Sequence, residues 1–111
     1  MEKNEMLTGT LDLLILRVLS TGPLHGFAIG ERIHVLSNSV LSVEEGSLYP
    51  ALHRMEAKGW IEAEWGFSEQ GRRRKTYALT RVGRKRLEDE CAAWKEVAGA
   101  IAHVLRKTEP A

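Results

Sequence analysis

The chain has 111 residues, 43% apolar and 28% charged, with a net charge of +1. This balance suits one globular domain or a domain plus an arm, and it excludes a disordered or collagen-like chain. Bulk charge gives no argument for nucleic acid, but distribution does: eight of the 16 Lys and Arg lie between positions 72 and 86, where there is no Asp or Glu. Cys91 is the single cysteine, so no intrachain disulfide can form, which is compatible with a reducing compartment. No signal peptide is evident. The apolar run over residues 11–19 is too short for a bilayer and contains Asp12 and Arg17. A cytoplasmic protein with no membrane partner is expected.

Residues 1–7 are polar and expected to be loose. Leu11, Leu14, Ile15, Val18 and Leu19 then follow helical spacing with one buried stripe, with Thr8 or Thr10 as the cap. Thr21-Gly22-Pro23 ends that helix. A second helix is predicted over about 25–36, with Phe27, Ile29, Ile33 and Leu36 inward. Gly26 and Gly30 are poor helix formers there and imply a close approach by a neighbour or, near the helix start, by a DNA backbone.

A third helix is predicted from position 44 or 46 to 58, with Ser42 and Glu45 at capping-box spacing. Leu48, Leu52 and Met55 face inward, and Tyr49, His53, Arg54 and Lys58 are left for the outer side. Pro50 is tolerated in a first turn but restricts Tyr49, so a bent or loosely wound start near Ser47 is expected. Gly59 stops the helix. Ile61, Ala63, Trp65 and Phe67 alternate with Glu62 and Glu64. Arg73, Lys75, Tyr77 and Leu79 alternate in a second strand, after a turn at Ser68-Glu69-Gln70-Gly71.

Thr80 caps a final helix over about 81–107. Its apolar positions Leu87, Cys91, Trp94, Ala98, Ile101 and Leu105 repeat in steps of 4 and 3. That is a heptad seam asking for a partner helix, on a helix of about 40 Å. The order of elements predicts a mainly α (α+β) fold: a winged helix-turn-helix with a two-stranded wing and a long C-terminal dimerisation helix. Residues 1–80 would form the DNA-binding unit and 81–111 the dimerisation helix. The expected interface comprises Leu11, Leu14 and the six seam residues.

The stretch Gly46-Ser47-Leu48-Tyr49-Pro50-Ala51-Leu52-His53-Arg54-Met55-Glu56, continued by Gly59-Trp60-Ile61, resembles the recognition helix and strand start of PadR-like transcriptional regulators. Gly22-Pro23-Leu24-His25-Gly26 resembles a second motif of that family, with Phe27 in place of its tyrosine. A single C-terminal helix resembles the short subfamily. The resemblance implies a homodimeric repressor that binds an inverted-repeat operator. Ser47, Tyr49, Pro50, His53, Arg54 and Lys58 would meet DNA from the third helix, and Arg72, Arg73, Arg74 and Lys75 from the wing. It also implies a planar hydrophobic effector stacked on Trp94 between two subunits.

Each residue has a plainer reading. Tyr49 and Pro50 can set the helix entry, Arg54 can pair with a neighbour on its own helix, and Arg74 can pair with Glu62 or Glu64. Trp94 can be interface core, while Trp60 and Trp65 read as structural. The rival function is a ligand-independent dimer acting through a protein partner. Catalysis finds no support. His25, His34, His53 and His103 show no metal-ligand spacing, and neither a nucleophile-elbow nor a phosphate-loop motif is present. No metal or cofactor is expected.

Overall fold

The structure, a computed structural model, describes residues 8–107. The polar stretch 1–7 lies outside the described residues. Helix α1 spans Thr8–Leu19. Its burial extends past the expected stripe, because Leu13 and Leu16 are buried along with Leu11, Ile15, Val18 and Leu19. The reason is its place in the fold: α2, α3, α4 and β3 all pack against it. A helix that is apolar nearly all round is a central one.

Strand β1, Leu24–His25, precedes helix α2, Gly26–Leu36. β1 adds a third strand to the hairpin formed by β2 (Ile61–Phe67) and β3 (Arg73–Leu79), in the order β1-β3-β2. Two residues are too few to show alternation, so this strand has no sequence signature. Within α2, Ile29 and Ile33 are buried as expected. Phe27 and Leu36 are instead exposed, at 59% and 62%. They sit in the first and last turns, which overhang the core.

Helix α3 spans Glu45–Ala57 and buries Leu48, Ala51, Leu52 and Met55. The predicted capping box does not form. Glu44 is the N-cap and makes no side-chain cap bond. The helix runs unbroken through Pro50. The first turn is partly wound as a 3₁₀ helix, with the Ser47 and Leu48 amides both donating to the Glu44 carbonyl at 2.9 Å. Gly59 stops α3 in the left-handed region, at φ +79°.

Helix α4, Arg81–Lys107, starts on a tight joint. The Thr80 hydroxyl accepts from the Gly83 amide at 3.0 Å and lies 2.7 Å from the Gly59 carbonyl and 2.9 Å from that of Trp60. The Trp60 ring carries Lys58 Nζ at 4.9 Å and the Arg86 guanidinium at 4.7 Å. Trp60 is thus structural, as its position implied. Gly83 and Leu87 are buried and Cys91 packs against the core. The described chain measures 62 × 29 × 22 Å.

Candidate nucleic-acid interface

At about 100° per residue, burying Leu48, Ala51, Leu52 and Met55 aims Gly46, Pro50, His53 and Ala57 outward. The other candidates fall on two flanks. Tyr49 and Glu56 lie on the side of the wing, and Ser47, Arg54 and Lys58 on the side of α1.

Tyr49 reaches the wing-side flank because α2 begins with a glycine. A Cβ on Gly26 would stand 2.7 Å from Tyr49 Cε1 and 2.9 Å from its hydroxyl oxygen. The close approach inferred for Gly26 is therefore real. Gly30 has only ordinary contacts, 3.6 Å to Leu48. Tyr49 packs on Gly26 and still keeps an exposed edge.

Arg54 is held from the other flank. Its Nη2 donates to Asp12 Oδ1 on α1 at 2.6 Å. The expected plain reading was a pair within α3; the partner lies 42 residues away. Asp12 is only 14% exposed, and burial pushes its carboxyl above the ordinary 3.8, outweighing the opposing pull of Arg54. A raised carboxyl binds its proton more tightly when folded. Its contribution therefore favours the fold below about pH 3.8 and is lost as pH rises through the folded value. Arg54→Ala removes the opposing charge. Asp12 is then expected to titrate still higher, by carboxyl NMR, and stability at neutral pH to fall by about 1–3 kcal/mol. The loss should shrink in acid, where Asp12 is protonated.

The wing tip is closed by Ser68, whose carbonyl accepts from Gly71 N at 2.9 Å and whose amide donates to the Arg72 carbonyl at 2.8 Å. Gly71 takes φ +82° there. Arg72, Arg73 and Arg74 are exposed. Arg74 stands opposite Gly66, and among the described residues it pairs with neither Glu62 nor Glu64. Lys75 differs from the other three: its Nζ lies 3.4 Å from Glu56 Oε1, tying the wing to α3. The long cationic run also divides. Lys85 and Arg86 pair along α4 with Asp89 and Glu90 and belong to that helix's own surface.

The structure thus brings Tyr49, Pro50, His53 and the wing cations to one side and places Ser47, Arg54 and Lys58 on the opposite flank of α3. Trp65, which the sequence reads as structural, is exposed on the wing, as is Phe67.

The proposed interface residues also separate. Leu11 and Leu87 are buried in the protomer's own core, which leaves them little surface for a partner, and Leu14 and Cys91 are half-buried against it. Trp94, Ile101 and Leu105 are exposed, as are Val97 and Val104, which the heptad reading passed over. Trp94 lines a groove of about 330 Å³ with Gly9, Thr10 and Leu13 of α1 and Glu90, Ala93 and Val97 of α4. Among the described residues no helix is long and apolar enough to cross a membrane, and no cluster of three or more His, Cys, Asp or Glu could hold a metal ion.

Comparison with known proteins places this architecture. Protein X of Lysinibacillus sphaericus is 32% identical over 97 residues, covering 87% of this chain and 89% of that protein. The solved structure of a PadR-like transcriptional regulator from Bacillus cereus is 31% identical, with a TM-score of 0.76 over 90% of this chain and 95% of its own. A PadR-like transcription factor from Bacteroides fragilis is 34% identical, with a TM-score of 0.72 over 87% and 91%. Residues 15–89 match the profile of the transcriptional regulator PadR-like family, and the chain, a winged-helix protein with a long C-terminal helix, belongs to that family of transcriptional regulators.

Proposed function

We propose that the regulator acts as a homodimeric operator-binding repressor. The observation that carries this reading is the outer face of α3 lying beside a wing tip with three exposed arginines that, among the described residues, have no pairing carboxylate. Two recognition helices would enter successive major grooves of an inverted repeat, about 34 Å apart. The wings would cover the adjacent phosphates. Arg72→Ala or Arg74→Ala should weaken every duplex alike and lower the salt slope by about one, read from binding isotherms across a salt series. A sequence-selective loss would mean that the wing arginines touch bases instead. The whole reading fails if an inverted-repeat probe binds no better than random DNA.

The α4 stripe supplies the dimer seam in this reading. Trp94, exposed on the stripe, would take a planar hydrophobic effector that favours one spacing of the recognition helices over another. A panel of planar dyes should quench tryptophan fluorescence and weaken operator binding. Trp94→Ala should abolish both effects and leave the dimer intact. Dissociation of the dimer in that variant would make Trp94 interface core. The rival reading, a ligand-independent dimer acting through a protein partner, has one observation in its favour. Val35, Leu36 and Val40 are exposed at the end of α2 farthest from the wing.

A further inference from the structure

From Glu45 to its C-cap Lys58, α3 carries two Lys or Arg, Arg54 and Lys58, and two carboxylates, Glu45 and Glu56. Its outward positions Gly46, Pro50, His53 and Ala57 include no Lys, Arg, Asp or Glu. Both cations on the α1 flank are engaged within the protomer. Arg54 Nη2 donates to Asp12 Oδ1 at 2.6 Å, and Lys58 Nζ lies 4.9 Å from the Trp60 ring centroid. On the other flank, Glu56 holds Lys75 at 3.4 Å. The wing tip is the reverse, with Arg72, Arg73 and Arg74 exposed in succession. The interface therefore keeps its open charge on the wing and leaves the outer face of α3 without any.

Asp12 enforces this division at α3. Its carboxylate is only 14% exposed, on a helix where the adjacent Leu11 and Leu13 are buried. Taking a carboxylate out of water opposes folding, and a well-packed apolar residue would serve the core as well or better. What Asp12 adds is control of Arg54. Glu90 of α4, which also acts on Asp12, is taken by Arg86 at 2.6 Å, so among the described residues Asp12 is the carboxylate that answers Arg54. A guanidinium released beside a DNA-reading face forks onto any phosphate within reach. Such contacts strengthen binding to every sequence alike, whereas base edges carry the sequence information. We propose that Asp12 is a positioning residue that sets specificity through Arg54: it detains the guanidinium on α1 and leaves indiscriminate phosphate binding to the wing. This inference rests on the DNA-binding reading above and deepens it.

The test measures binding to two duplexes across a salt series. One is the duplex that wild type selects from a random-sequence pool, and the other is a scramble of it with the same length and composition. Asp12→Asn keeps the shape and the acceptor oxygen but removes the charge. It should bind the scramble roughly fivefold tighter at low salt, with a salt slope steeper by about one, because Arg54 is released to a phosphate. The selected duplex, whose docking is fixed by base contacts, should gain less, so the ratio between the two narrows. Asp12→Glu keeps the charge and should keep the wild-type slope. In an Arg54→Gln background, Asp12→Asn should change neither slope nor ratio. A merely structural carboxylate would move the thermal midpoint and leave the slope alone, so an unchanged slope and ratio in folded Asp12→Asn overturns the proposal. Arg54→Gln by itself is a second arm that does not depend on that variant folding. With Arg54 held off the DNA, its salt slope should match wild type. A slope lower by about one means that Arg54 already meets a phosphate, which also overturns the proposal. A wild type that selects no duplex is a different failure, because it removes the DNA-binding reading itself.

Discussion

Replacing Gly83 by alanine is expected to destabilise the fold by about 3 kcal/mol. In an ordinary exposed helix the same change stabilises, by about 0.5–1 kcal/mol, because alanine loses less backbone freedom on folding. Here the sign reverses. A Cβ at position 83 would stand 1.9 Å from the Trp60 carbonyl oxygen and 2.9 Å from Leu79 Cδ1. The nearer atom is backbone and cannot swing aside. That carbonyl also accepts from the Thr80 amide at 3.1 Å, so moving it disturbs the cap of α4. Either the first turn of α4 lifts off the end of α3 or the junction at Trp60 distorts. Urea denaturation should show a lower midpoint for Gly83→Ala. Gly99 is the control: it lies on the extended part of α4 with nothing within 4 Å of its Cβ direction. Gly99→Ala should raise the midpoint, through a stabilisation of up to about 1 kcal/mol. Equal midpoints for Gly83→Ala and wild type would mean that α4 does not dock as described.

The second large effect concerns the proposed dimer. Val97 and Ile101 are more than half exposed, so neither is needed by the protomer's own core. Glutamates at both positions, Val97→Glu with Ile101→Glu, should leave the helical circular dichroism intact. At a dimer seam they would bury unpaired charge, which the interface cannot tolerate. Sedimentation should show a monomer at micromolar concentration. Operator affinity should fall by roughly 100-fold or more, because two linked half-sites become two separate weak ones. This double substitution tests the seam more cleanly than deleting α4 from Leu87 onward. Leu87 is buried in the protomer, and its loss would damage the fold as well as the seam. A dimeric double variant with wild-type affinity would place the interface on another surface.

Much of the architecture is legible in the residues. The periods of α3, β2 and β3, the stop at Gly59 and the cap at Thr80 all arise from interactions within a few residues of each other. Local chemistry determines them, and the elements stand where spacing placed them. The errors share another cause. Phe27, Trp65 and Phe67 follow an inward period, but the core has ended where they stand, and a period cannot tell where its neighbour stops. The heptad on α4 suffers the same ambiguity. It runs continuously through Leu87, which the protomer buries, and Ile101, which it leaves exposed.

By itself, then, the sequence determined the order and type of the main elements, the family, and the two cationic and helical segments that make up the candidate interface. It did so because those features are carried by short-range spacing and by residue types in fixed succession. Only the tertiary structure decided how the side chains are shared out. It turned Arg54 toward Asp12, tied Lys75 to Glu56 and pressed Gly26 against Tyr49 and Gly83 against Trp60. It also paired β1 with β3. Each of these joins residues 19 or more positions apart, and no periodicity along a chain encodes which distant groups will meet once the core has closed around α1.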